Sequence, residues 1–74
     1  MGAKTFSWLS DCRYYSVCVQ RDLLGDWTMV KRWGGRGNNL GGEEVSGYPT
    51  LAAVFNEVRR IDSLRRRHHY QRVR

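Results

Sequence analysis

The chain has 74 residues, enough for one domain and a modest core but too few for a catalytic cleft with a rigid supporting shell. Its formal net charge is +6, which favours a polyanionic partner and, with no apolar run near 20 residues, gives no membrane-spanning segment. No signal-peptide core is visible near the start, and Phe6 stands where a Met1-Gly2 myristoylation start needs Ser or Thr, so we expect a soluble, cytoplasmic protein.

In chain order, residues 1–3 are expected to be loose. Lys4–Leu9 has partly alternating, β-favouring character and reads as an edge strand, followed by a Ser10-Asp11 turn signal. Arg13–Gln20 is the clearest strand: Tyr15, Val17 and Val19 fall on a core face, while Tyr14, Ser16, Cys18 and Gln20 fall on a mixed one. Asp22–Asp26 suits a hairpin loop, and Trp27–Trp33 returns antiparallel with Trp27, Met29 and Trp33 on one face. Lys31 shares that apolar face, which predicts a twist or bulge near the strand's end.

Five of the eight glycines follow Trp33 within nine residues, through Gly42. Flexible backbone, an indole ring and nearby cations form a surface suited to a phosphate, a sugar or a base. The competing structural reading is a turn with Trp33 packed beneath it. Glu43–Tyr48 reads as a short strand with Glu43 and Glu44 solvated. Pro49 and Thr50 announce a helix whose stripe of Leu51, Val54, Phe55, Val58 and Ile61 is core, and His68-His69-Tyr70 ends it. Gln71–Arg74 is a basic tail or a brief final strand. The folded unit is set at 4–72, with 1–3 and 73–74 as flexible ends.

Charge is concentrated at the C-terminal end: residues 1–48 carry six Lys/Arg and five Asp/Glu, whereas 49–74 carry seven and two. Arg59 and Arg66 represent this arginine surface, which suits sequence-blind phosphate contact or simply a solvated helix end. Cys12 and Cys18, six apart on one extended run, lie about 20 Å apart and cannot bridge each other. No zinc spacing, P-loop or nucleophile–base pair is present, so no metal, no cofactor and no enzymatic activity are expected.

The sequence of Arg13-Tyr14-Tyr15-x-Val17-x-Val19, Asp22-Leu23-Leu24-Gly25-x-Trp27, Arg32-Trp33-Gly34 and a helix from Thr50 to near Tyr70 resembles the WGR domain. The likeness is greatest to short stand-alone bacterial WGR proteins. It implies an α+β fold, a small twisted antiparallel sheet of four to five strands with one C-terminal helix packed on a face. It also implies the role of the WGR module of DNA-dependent poly(ADP-ribose) polymerases, where the signature tryptophan packs on a 5′-terminal nucleotide. Carried over, that tryptophan is Trp33. The signature arginine falls on Gly35, and Arg36 stands one place later. The candidate nucleic-acid contacts are therefore Trp33 and Arg36, with Arg32, Lys31 and Arg13 in support and Arg59 and Arg66 on the helix. DNA is expected ahead of RNA. A protein-interaction or assembly domain, with a protein partner or a homodimer, is the alternative.

Overall fold

The computed structural model of the chain describes residues 4–37 and 41–73. The expectations for 1–3, the glycine-loop tip at 38–40 and Arg74 lie outside the described residues.

The elements follow the order β1 (Lys4–Leu9), β2 (Arg13–Arg21), β3 (Trp27–Gly35), β4 (Gly41–Tyr48), α1 (Leu51–Arg67) and β5 (Gln71–Val73). They form a five-stranded antiparallel sheet in the order β4-β3-β2-β1-β5 with one helix on it, an α+β fold. The first four strands are a meander. β4 and β5 therefore occupy opposite edges, about 19 Å apart at four inter-strand spacings. The 17-residue helix is about 25 Å long, sufficient to carry the chain back across that width. Val73 pairs with Ser7, so ordered strand extends one residue past the expected limit at 72.

Alternation is regular throughout. Tyr15, Val17 and Val19 do share the helix-facing side with Phe6, Trp8 and Met29, and Trp8, Val17 and Met29 are fully buried. The Trp8 indole donates from Nε1 to Asp62 Oδ1 at 2.9 Å, which satisfies the polar end of a core ring. That bond, followed in effect by Arg66, holds the Asp62 carboxyl below its ordinary range against the opposing effect of burial.

Thr50 caps α1 as expected, accepting at Oγ1 from Ala53 N at 3.1 Å. The apolar stripe is narrower than the sequence suggested. Val54, Val58 and Ile61 are buried, whereas Leu51 and Phe55 stay exposed. Phe55 lies about 100° around the helix from Val54, off the centre of the contact. The helix ends on His68, with His69 in the left-handed region at φ 67 and Tyr70 N donating to Arg65 O at 2.9 Å.

Of the twist or bulge expected near the end of β3, the bulge is absent. β3 keeps one unbroken register with both neighbours, Lys31 lying opposite Val17 and Glu44. Lys31 is only 7 % exposed and instead meets two carboxylates, Glu57 Oε2 at 3.0 Å and Glu44 Oε1 at 3.5 Å. Glu43 and Glu44 are exposed to solvent as expected, but they are not without partners: cross-strand register brings Glu43 opposite Arg32, with which it forms an ion pair, and Glu44 opposite Lys31.

Candidate nucleic-acid interface

A row of side chains crosses the helix-facing side of the sheet at one level: Gly42 on β4, Trp33 on β3, Tyr15 on β2, Trp8 on β1 and Arg72 on β5. Trp8 and Tyr15 meet edge to face at 6.0 Å between ring centroids, and Tyr15 and Trp33 lie near parallel at 6.1 Å and 15°. Burial decreases along the row. Trp8 is sealed under α1, Tyr15 is half-buried, and Trp33, beyond the helix, is 37 % exposed. The indole is thus held by neighbours and still open to a ligand.

The glycines have a different role from the flexible cradle expected. Gly34 and Gly35 belong to β3, Gly41 and Gly42 to β4, and Gly34 pairs with Gly41. A Cβ at Gly41 would fall 2.2 Å from the Trp33 carbonyl oxygen, and one at Gly42 would fall 2.6 Å from Trp33 Cζ2. These two glycines bring β4 close to β3 and leave the space that the indole occupies.

The helix end supplies a second component. The Arg65 guanidinium lies 4.6 Å from the Tyr15 ring centroid and 5.2 Å from that of Tyr70, within cation–π range of both. Its Nε is buried without a hydrogen-bond partner. Burial, the first influence, raises the Tyr15 hydroxyl above its ordinary pKa although Lys31 and Arg65 oppose it.

Two grooves flank Trp33 and share Arg65. One, of about 540 Å³, runs over Arg13, Trp33, Gly34, Gly41 and Tyr70. It continues, through Cys12, Arg13, Arg65 and Tyr70, into a second depression reaching Ser10, Asp11, His68 and His69. The groove on the other flank holds Glu44 along with Lys31 and Arg60. Of the two flanks, that of Arg13 and Arg65 is the better one for an anion, because no carboxylate lines it among the described residues and Asp11 borders only the depression into which it continues.

The expected site residues are dispersed by the fold. Trp33 and Arg13 come together. Lys31, expected as a phosphate contact, is buried between Glu44 and Glu57, and Arg32 points to the opposite sheet face and binds Glu43. Arg36 fastens two turns, with its N–H donating to Cys12 O at 2.8 Å and its Nη1 to Ser10 O at 3.0 Å. Arg66 pairs with Asp62 four residues earlier, and Arg59 is exposed on α1, outside the residues lining the grooves beside Trp33. Arg65, expected on the outer side of the helix with the other arginines, instead turns inward onto Tyr15 and Tyr70. Its signal was present: Val54, Val58, Ile61 and position 65 continue one helical stripe, so an arginine there must face the sheet.

Among the described residues, no three His, Cys, Asp or Glu side chains converge to hold a metal ion, and no helix is long and apolar enough to cross a membrane. No protein-family model matches the chain, and neither a curated protein nor a solved structure matches it.

Proposed function

We propose that this small α+β protein is a non-catalytic nucleic-acid-binding module, with a terminal or unpaired base against Trp33 and adjoining phosphates against Arg13 and Arg65. The observation that carries the reading is a half-exposed indole sharing one groove with two arginines. Stacking on an exposed aromatic contributes about 1–3 kcal/mol whatever the base, and nearby guanidinium groups add backbone affinity. The resemblance to the WGR domain supports DNA ahead of RNA and an end ahead of continuous duplex.

The test is a titration against duplex DNA with an open 5′-phosphorylated end and against the same duplex closed by hairpins at both ends. The open duplex is expected to bind more tightly. Trp33→Ala should weaken it by about 5- to 150-fold, the equivalent of one lost stacking contact. Arg13→Ala should weaken both ligands, and Gly42→Ala should resemble Trp33→Ala because its methyl displaces the ring. Binding that is absent at low salt, or indifferent to Trp33→Ala, would reject this site.

A further inference from the structure

The helix covers one side of the sheet, and among the described residues no element covers the other side. Alternation places Tyr14 and Cys18 of β2, Val30 of β3, Val45 of β4 and Val73 of β5 there. Val45 is 61 % exposed, and Tyr14 and Val73 are also exposed, so the apolar groups reach from one edge strand to the other.

The distribution of charge is one-sided. Among the described residues the cations other than Arg32 lie in turns, on α1, or on the helix-facing side of the strands, where Lys4, Arg21 and Arg72 rest on aromatic rings. On the open face the only formal charges of the described strands are Arg32 and Glu43, and they neutralise each other. A polyanion has nothing to bind on this face. Solvent alone does not account for it either, since a chain of net charge +6 leaves it neutral and studded with valine and tyrosine.

We propose that this face is a homodimer interface, in which two copies stack open sheet against open sheet. A second copy fits for three reasons. Two such faces are both neutral, so contact separates the cationic sides to the outside and brings no like charges together. A two-fold axis makes every contact reciprocal, so Arg32 of each copy can meet Glu43 of the other with no charge left unpaired. The area is adequate: five strands about 4.8 Å apart and three to nine residues long offer roughly 500–600 Å² per copy, near the lower bound of about 1,000 Å² in total for a specific interface. An interface near that bound is expected to be weak, so association is sought from micromolar to millimolar concentration. Both Trp33 grooves would face outward, so the proposal stands or falls separately from nucleic-acid binding.

The two thiols provide the readout, since Cys18 lies on the open face and Cys12 is exposed in the β1–β2 turn. The whole chain, freed of nucleic acid, is followed by sedimentation equilibrium and by iodoacetamide labelling from about 1 µM to about 1 mM. The expected result is a mass rising towards two chains. Cys18 labelling should slow at least about fivefold over the same range while Cys12 labelling stays constant. Val45→Lys and Val73→Lys, at opposite edges and checked for folding by circular dichroism, should each raise the dissociation constant about tenfold or more. A chain that remains monomeric throughout would overturn the proposal. So would a dimer in which Cys18 labels at an unchanged rate, or one that tolerates both lysines, because association would then use an edge strand or the helix side.

Discussion

His69 carries a positive φ of 67 at the end of α1, a conformation that costs a residue with a Cβ about 1–2 kcal/mol. The turn holds because backbone N–H groups of His68, His69 and Tyr70 satisfy the last helical carbonyls. Glycine removes the steric cost but loses more entropy on folding, so the two effects partly cancel. His69→Gly is expected to stabilise the protein by about 0.5–1 kcal/mol, raising the melting temperature by about 3–6 °C in a thermal scan. Arg65, four positions earlier, poses the opposite case. Its cationic head is held against two rings with a buried Nε unsatisfied, an arrangement that aids stability little but presents a guanidinium to the groove beside Trp33.

Between elements, polar contact joins α1 to the sheet through Glu57. This carboxylate accepts from Lys31 of β3 and from Arg60 on its own helix, at 3.0 and 2.6 Å. The Arg60 hydrogen bond is the largest influence on it; burial opposes, and Lys31 adds to the depression, which brings Glu57 to about 2 from an ordinary 4.5. Burial alone would lower Lys31, but the Glu57 hydrogen bond and charge together outweigh it and raise that ammonium. A carboxyl depressed in the folded state stabilises it fully above the unfolded value and loses that contribution as protons bind. Stability should therefore fall as pH drops from about 4.5 towards 2 in urea titrations. Glu57→Gln should flatten most of that fall, with Asp62 supplying the remainder, and should cost about 2–3 kcal/mol at neutral pH because Lys31 keeps only the longer contact with Glu44.

For the molecule as a whole, the sheet divides two chemistries. Its helix side holds the core, the aromatic row and the strand-borne cations other than Arg32, and its open side is neutral. Ion pairing withdraws several cations from any ligand, since Lys31, Arg32, Arg60 and Arg66 each bind a carboxylate. Nucleic-acid binding should consequently depend on salt less steeply than a net charge of +6 suggests. Two to four phosphate contacts give a log–log slope of about −1.8 to −3.6, or a loss of about 10- to 150-fold between 50 and 200 mM salt. Fluorescence anisotropy with a short duplex measures that slope. A value near −6 would mean that the paired arginines also contact phosphate.

How much of this was legible along the chain differed by kind of interaction. Strand alternation, the Asp22–Asp26 hairpin and the Thr50 cap were local patterns, and local sterics and hydrogen bonding enforce them wherever the sheet forms; the antiparallel sheet with one helix packed on it was what the resemblance to the WGR domain implied. The core positions of β2 and the central part of the helix stripe were local patterns too. Pairings between distant residues were not legible, because register alone decides them. Glu43 and Glu44 looked unpaired in sequence yet lie directly opposite Arg32 and Lys31, and Glu57 reaches Lys31 only once α1 crosses the sheet. The glycines after Trp33 read as loop because nothing in one dimension marks two strands that approach too closely for side chains. By itself the sequence determined the elements and Trp33 as the ring to consider, and its resemblance to the WGR domain carried the fold class. Only tertiary packing decided which cations stand beside that ring, because a charge is withdrawn or presented by the partner that folding puts next to it.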